Sequence, residues 1–130
     1  MDILIIGGTQ FVGRALSEAV LANGHTLTLF HRGKTNSDLF PEAEHILGDR
    51  DGDLEKLGDR TWDAVVDTCG YVPRLVKDAA QYLADKAEQY VFISTISVFA
   101  QSDQDHRDED ADLAQFPDGI EPTTEEITGE

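Results

Sequence analysis

Ile3-Leu4-Ile5-Ile6-Gly7-Gly8-Thr9-Gln10-Phe11-Val12-Gly13 decides the fold. Ile3 to Ile6 is an apolar run of strand length, and β-branched side chains suit a buried, pleated surface. Gly7 and Gly8 permit a sharp turn with backbone angles that other residues avoid. Phe11 to Ala22 then carries a helical pattern, with Val12, Ala15, Leu16, Ala19 and Val20 as its expected inner face. Gly13, in the first turn, lets helix and strand approach closely. A helix start fed by a glycine turn offers free N–H groups and the positive end of a dipole, which suits a phosphate. The stretch reads as the pyrophosphate turn of a dinucleotide site.

Working outward, Asn23-Gly24 suits a helix end, and Thr26 to Phe30 reads as a second strand, completing a βαβ unit. His31 to Pro41 is a polar loop, and Ala43 to Leu47 a short third strand. Gly48 to Arg60 is dense in Asp and Gly, with one helical turn at Leu54 to Leu57. Trp62 to Thr68 holds a fourth strand, centred on Ala64-Val65-Val66. A helix is expected from Pro73 to Lys86, with Leu75, Val76, Ala79, Ala80 and Leu83 on one stripe. Gln89 to Ser94 is the fifth strand. Strands alternating with helices imply an α/β fold: a parallel sheet covered on both faces, in strand order 3-2-1-4-5. The expected ligand crevice lies between strands one and four, at their carboxyl ends. Residues 1–100 form this unit, and 101–130 an acidic, loop-rich, partly disordered tail.

At 130 residues the chain can bury one core. The net charge is −16, with −6 in residues 1–100 (15 acidic, 9 basic) and −10 in residues 101–130 (11 acidic, 1 basic). An acidic surface repels nucleic acid and anionic membranes, so neither is expected as a partner. Cys69 is the single cysteine, which excludes an internal disulfide and fits a reducing compartment. Asp2 interrupts the amino terminus, and the apolar run ends at Gly7, unlike a signal peptide. No run approaches the ~20 apolar residues of a membrane-spanning helix. A cytoplasmic location is expected.

Several segments together resemble one family. Gly7-Gly8-Thr9-Gln10-Phe11-Val12-Gly13 resembles the nucleotide-binding turn of the extended and atypical short-chain dehydrogenase/reductases, the NAD-dependent epimerase/dehydratase group. The usual form is Gly-x-x-Gly-x-x-Gly; Gln10 in the middle position looks like an atypical branch with Gly-Gly-Thr-x-Phe-(Ile/Val)-Gly. Phe30-His31-Arg32-Gly33-Lys34-Thr35 is similar to the same branch. Gly48-Asp49-Arg50-Asp51 resembles the loop after strand three that touches the adenine. Asp67-Thr68-Cys69-Gly70 takes the place of the loop after strand four, beside the cofactor. Tyr90 to Phe99 is similar to the segment carrying the family's catalytic Ser or Thr, and that position falls on Thr95. The resemblance covers about residues 1–100. It implies a three-layer Rossmann fold and an oxidoreductase whose chemistry is hydride transfer at a carbinol or carbonyl carbon, often of a nucleotide sugar.

The end of the second strand bears on which cofactor is bound. A site for NAD usually has an acidic residue ~20 positions past the glycines, holding the ribose 2′-hydroxyl. No acid occurs between Glu18 and Asp38; His31, Arg32 and Lys34 cluster there instead. A guanidinium suits a 2′-phosphate, which favours NADP over NAD. Thr68, Cys69 and Gly70 complete the expected cofactor set. Tyr82-Leu-Ala-Asp-Lys86 matches the family's catalytic Tyr-x-x-x-Lys, but it precedes strand five and so sits at the wrong end of the sheet. No tyrosine follows Tyr90. No metal site is expected: Asp49, Asp51 and Asp53 lack EF-hand spacing, and the four histidines are scattered.

The expected function is therefore the NAD(P)-binding part of an epimerase/dehydratase-like reductase, truncated before its catalytic Tyr-Lys pair. The alternative is a non-catalytic dinucleotide-binding module that senses redox state or binds partners. An unpaired outer edge on strand five invites pairing with a second copy, so a homo-oligomer is expected.

Overall fold

A computed structural model describes residues 1–100, 108–115 and 118–119. The elements run β1 (Asp2–Ile6), α1 (Phe11–Ala22), β2 (Thr26–His31), β3 (Glu44–Leu47), β4 (Trp62–Asp67), α2 (Pro73–Leu83) and β5 (Ala87–Phe92). Short 3-10 turns lie at Leu54–Leu57 and Ile96–Val98. The five strands are parallel, in the order β3-β2-β1-β4-β5. This is the three-layer Rossmann arrangement read from the sequence.

The alternation of side chains along β1 divides the interior in two. Leu4 and Ile6 point into one core with Phe30, Val65, Ala79 and Leu83. Ile3 and Ile5 point into the other with Val20, Leu27 and Leu29. A strand buried on both faces must be apolar throughout, which is why Ile3 to Ile6 reads as a continuous run. Each fully buried Leu, Ile or Phe contributes about 1.5–3 kcal/mol, so β1 and β2 anchor the domain. Register places Ile6 opposite Phe30 on one side and Asp67 on the other. These three residues mark the carboxyl edge, where the loops that matter begin.

Two expectations need correction. The buried face of α1 is Gly13, Ser17 and Val20, whereas Val12, Ala15 and Ala19 are exposed. The apolar stripe loses because the small residues must face the sheet for the helix to approach the glycine turn. The second helix ends at Leu83, not Lys86. The Lys86 carbonyl accepts from Trp62 N–H at 2.8 Å, which draws that residue into the entry to β5. Within the tail, Leu113 forms an isolated antiparallel bridge with Phe99, flanked by Ala100 N–H to Asp112 O and Ala114 N–H to Val98 O. Residues 101–107, 116–117 and 120–130 of the expected disordered tail lie outside the described residues.

Candidate functional site

The site starts from glycine geometry. Gly7 and Gly8 take φ of 102° and 93°, which L side chains rarely adopt. A Cβ on Gly13 would lie 2.8 Å from the Gly8 nitrogen and 2.9 Å from its Cα, so α1 rests directly on the turn. A Cβ on Gly7 would collide with the Thr68 hydroxyl, and one on Gly8 would reach Leu29 at 2.5 Å. The buried Ser17 hydroxyl lies 2.8 Å from the Gly13 carbonyl and 3.0 Å from that of Gly8, fastening turn to helix. Thr9 is buried, while Gln10 is extended and exposed. Phe11 takes φ of 43° and is 92% exposed. Such an outlier in a bulky residue persists only where neighbours fix the backbone. No side chain caps α1, and its first turn holds no acid. Its N–H groups and dipole thus face the crevice without a protein anion, a fitted cradle for phosphate.

Across the crevice, Asp67 ends the buried β4 with 0% exposure. Arg50 meets it with two hydrogen bonds, Nη1 to Oδ1 at 2.8 Å and Nη2 to Oδ2 at 2.7 Å. The Arg50 Nη2 also donates to Leu75 O in α2 at 2.9 Å, and the Tyr90 hydroxyl donates to Asp67 Oδ2 at 2.7 Å. One buried pair thereby ties the loop after β3 to β4, α2 and β5. Burial would lower the Arg50 pKa, but the Asp67 carboxylate outweighs it and holds the guanidinium charged. Burial and the Asp67 charge push the Tyr90 phenol well above its ordinary value. Burial likewise raises the Cys69 thiol, leaving it a neutral packing group. Arg50, expected against the adenine, has its guanidinium turned inward. Asp49 and Asp51 stay exposed; Asp49 accepts from the Asp51 N–H at 3.0 Å, and Asp51 pairs with Arg74. The Thr68 hydroxyl donates to Ile6 O at 2.9 Å, setting the β4–α2 loop beside the glycine turn. Gly70 is held against Phe92, 2.6 Å from where its Cβ would be.

The loop after β2 is organised by histidines. His31 is buried; its Nδ1 accepts from Gly33 N–H at 3.1 Å and its Nε2 lies 2.8 Å from His45 Nδ1. His45 Nε2 lies 3.0 Å from Phe40 O. Asn36 Nδ2 donates to Thr9 O at 3.1 Å, so the loop is also tied to the glycine turn. Arg32 and Lys34 remain exposed. Burial, then the neighbouring His45 ring, lowers the His31 pKa below 6.5.

Thr95 is exposed, and its Oγ1 accepts from Ser97 N–H at 3.2 Å, opening the turn Ile96–Val98. Tyr82 donates to Gly58 O, and Lys86 lies over its ring, 3.8 Å from Asp59. That pair sits at the amino edge, opposite the crevice. Among the described residues no group of three His, Cys, Asp or Glu could hold a metal, and no helix is long and apolar enough to cross a membrane. Sequence reasoning missed Ser17, His45, Asn36 and the Asp67–Tyr90 contact. The signal for Asp67 was an acid closing the apolar run Ala64-Val65-Val66.

A parallel sheet, a glycine turn under an uncapped helix and a second loop at the switch point define a dinucleotide-binding domain. The chain belongs to the NAD dependent epimerase/dehydratase family, whose profile matches residues 3–122. It is 36% identical over 126 residues to the chloroplast stem-loop binding protein of 41 kDa b from Arabidopsis thaliana, covering 84% of this chain and 33% of that protein. It is similar in fold to UDP-glucose-4-epimerase from Stenotrophomonas maltophila with bound NAD (TM-score 0.71, 15% identity, 95% of this chain and 44% of that one). It also resembles BdcA in complex with NADPH (TM-score 0.62, 16% identity, 74% and 52%). The chain thus spans about a third to a half of the length of these relatives.

Arg50→Ala strands the Asp67 carboxylate and is expected to cost about 3–5 kcal/mol in urea unfolding; a loss below about 1 kcal/mol would show that the pair is not structural. His31 binds its proton more weakly when folded than when unfolded. Stability should therefore be full above about pH 6.5 and fall as pH drops through the lowered folded value. Unfolding at about pH 7.5 and about pH 5.5 checks this, with lower stability expected at the acid value and a flat profile contradicting it.

Proposed function

We propose that this chain is the cofactor-binding part of an NADP-linked enzyme of the epimerase/dehydratase type, acting at a carbinol or carbonyl carbon of a nucleotide sugar. The observation that carries the reading is the uncapped start of α1 resting on Gly8 through Gly13. The backbone N–H groups from Gly8 to Gly13 would hold the pyrophosphate. Arg32 and Lys34 would hold the 2′-phosphate, with no acid nearby to favour NAD. Asp49 and the backbone of Arg50 would line the adenine, and Thr68 to Gly70 the nicotinamide side. Thr95, exposed just past the carboxyl end of β5, would hydrogen-bond the substrate oxygen. A bound nicotinamide dinucleotide supplies or accepts the hydride.

The UDP-sugar epimerase among the similar structures supports the substrate class. A cytoplasmic location and pairing of two copies through the outer edge of β5 complete the reading; among the described residues β5 lies at the edge of the sheet. A non-catalytic dinucleotide sensor is the second reading, in which the glycine turn binds the dinucleotide and Thr95 has no part in chemistry. The name of the plant relative bears on the expectation that nucleic acid is not a partner. Against RNA stand 26 acidic and only 10 basic side chains.

Calorimetric titration with NADPH and NADH tests the reading. NADPH should bind about tenfold tighter, and Arg32→Asp should remove that preference while leaving NADH binding unchanged. Failure to bind either dinucleotide, or a preference that survives Arg32→Asp, would overturn it.

A further inference from the structure

The loop that carries Arg32 and Lys34 is shaped by a relay of hydrogen bonds with a single possible direction. At one end Gly33 N–H can only donate, so His31 Nδ1 accepts and the ring proton sits on Nε2. His31 Nε2–H must then donate to His45 Nδ1, at 2.8 Å. That places the His45 proton on Nε2, which donates to the Phe40 carbonyl, an acceptor only. The rings meet edge to face, with centroids 5.1 Å apart. The two backbone ends of this chain of bonds are the two ends of the loop.

The loop is also strained. Gly33, Asn36 and Phe40 all take left-handed φ, of 70°, 46° and 61°. Such angles are uncommon for Asn and costly for Phe. Each of these three residues carries one of the ties: Gly33 to His31, Asn36 to Thr9, and Phe40 to His45. Arg32 is spanned by the first tie, between His31 and Gly33, and Lys34 lies between the first and the second.

We propose that His31 and His45 are positioning residues for cofactor specificity. Their relay, with Asn36, holds the loop so that Arg32 and Lys34 stand at the 2′-phosphate position. Neither imidazole touches the nucleotide; they act through the backbone they fix. This rests on the NADP reading above and extends it from the charged residues to the groups that aim them.

The test is the ratio of NADPH to NADH affinity, measured by calorimetry on the whole chain. His45→Phe removes both of its relay bonds and should lower that ratio by about tenfold, with NADH affinity unchanged. His45→Gln can accept from His31 and donate to Phe40, and should restore the ratio. If His45→Phe does not fold, the exposed Asn36→Gly cuts the tie to Thr9 and should lower the ratio in the same way. A wild-type chain without NADPH preference would defeat the NADP reading itself. A wild-type preference that survives His45→Phe or Asn36→Gly, or an equal loss of both dinucleotides, would overturn the relay's role alone.

Discussion

The contact of Gly13 on the Gly8 backbone is the constraint from which the site follows. A side chain at Gly13 would push α1 off the turn, because its Cβ would meet the Gly8 backbone at 2.8 and 2.9 Å, and one at Gly8 would run into Leu29 of β2 at 2.5 Å. The contact rotates the helix so that Gly13 and Ser17 face inward. It aims the uncapped helix start at the crevice and leaves Val12, Ala15 and Ala19 outside. Burial of apolar side chains is non-directional, whereas close backbone approach is not. Where the two compete, as in α1, approach sets the rotation and Val12 stays 45% exposed.

The other wall of the crevice is held by charge rather than by close packing. A buried carboxylate is tolerable only when paired and hydrogen-bonded, and Asp67 is both, through Arg50, Tyr90 and the Cys69 N–H. Because Arg50 comes from the loop after β3 and Tyr90 from β5, the pair fixes loops far apart in sequence. The glycine turn and the Asp67 cluster meet at Thr68, whose hydroxyl sits where a Gly7 Cβ would be and donates to Ile6 O. The two walls therefore share one geometry.

The sheet order was legible because periodicity and turn residues are local signals, and each strand carries them. The glycine turn was legible for the same reason. The inward turn of the Arg50 guanidinium was not legible, because its partner lies 17 residues away and only the fold shows that an acid waits there. The His31–His45 relay joins residues 14 apart, on strands whose register the sequence does not encode. The inner face of α1 was misread because counting apolar residues ignores how closely backbones must pack. The end of α2 was misplaced because the chain leaves the helix through the tight bonds Ala84 N–H to Gln81 O and Lys86 N–H to Leu83 O, and Lys86 O then pairs with Trp62 across the sheet, none of which a run of helix formers announces.

Amide chemical shifts recorded during addition of NADPH decide whether the glycine turn and the Asp67 loop form one dinucleotide site. In that case the largest changes fall on Gly8 to Gly13 and on Thr68 to Gly70 and saturate together. Binding that shifts other amides and leaves Gly8 to Gly13 unmoved would contradict it.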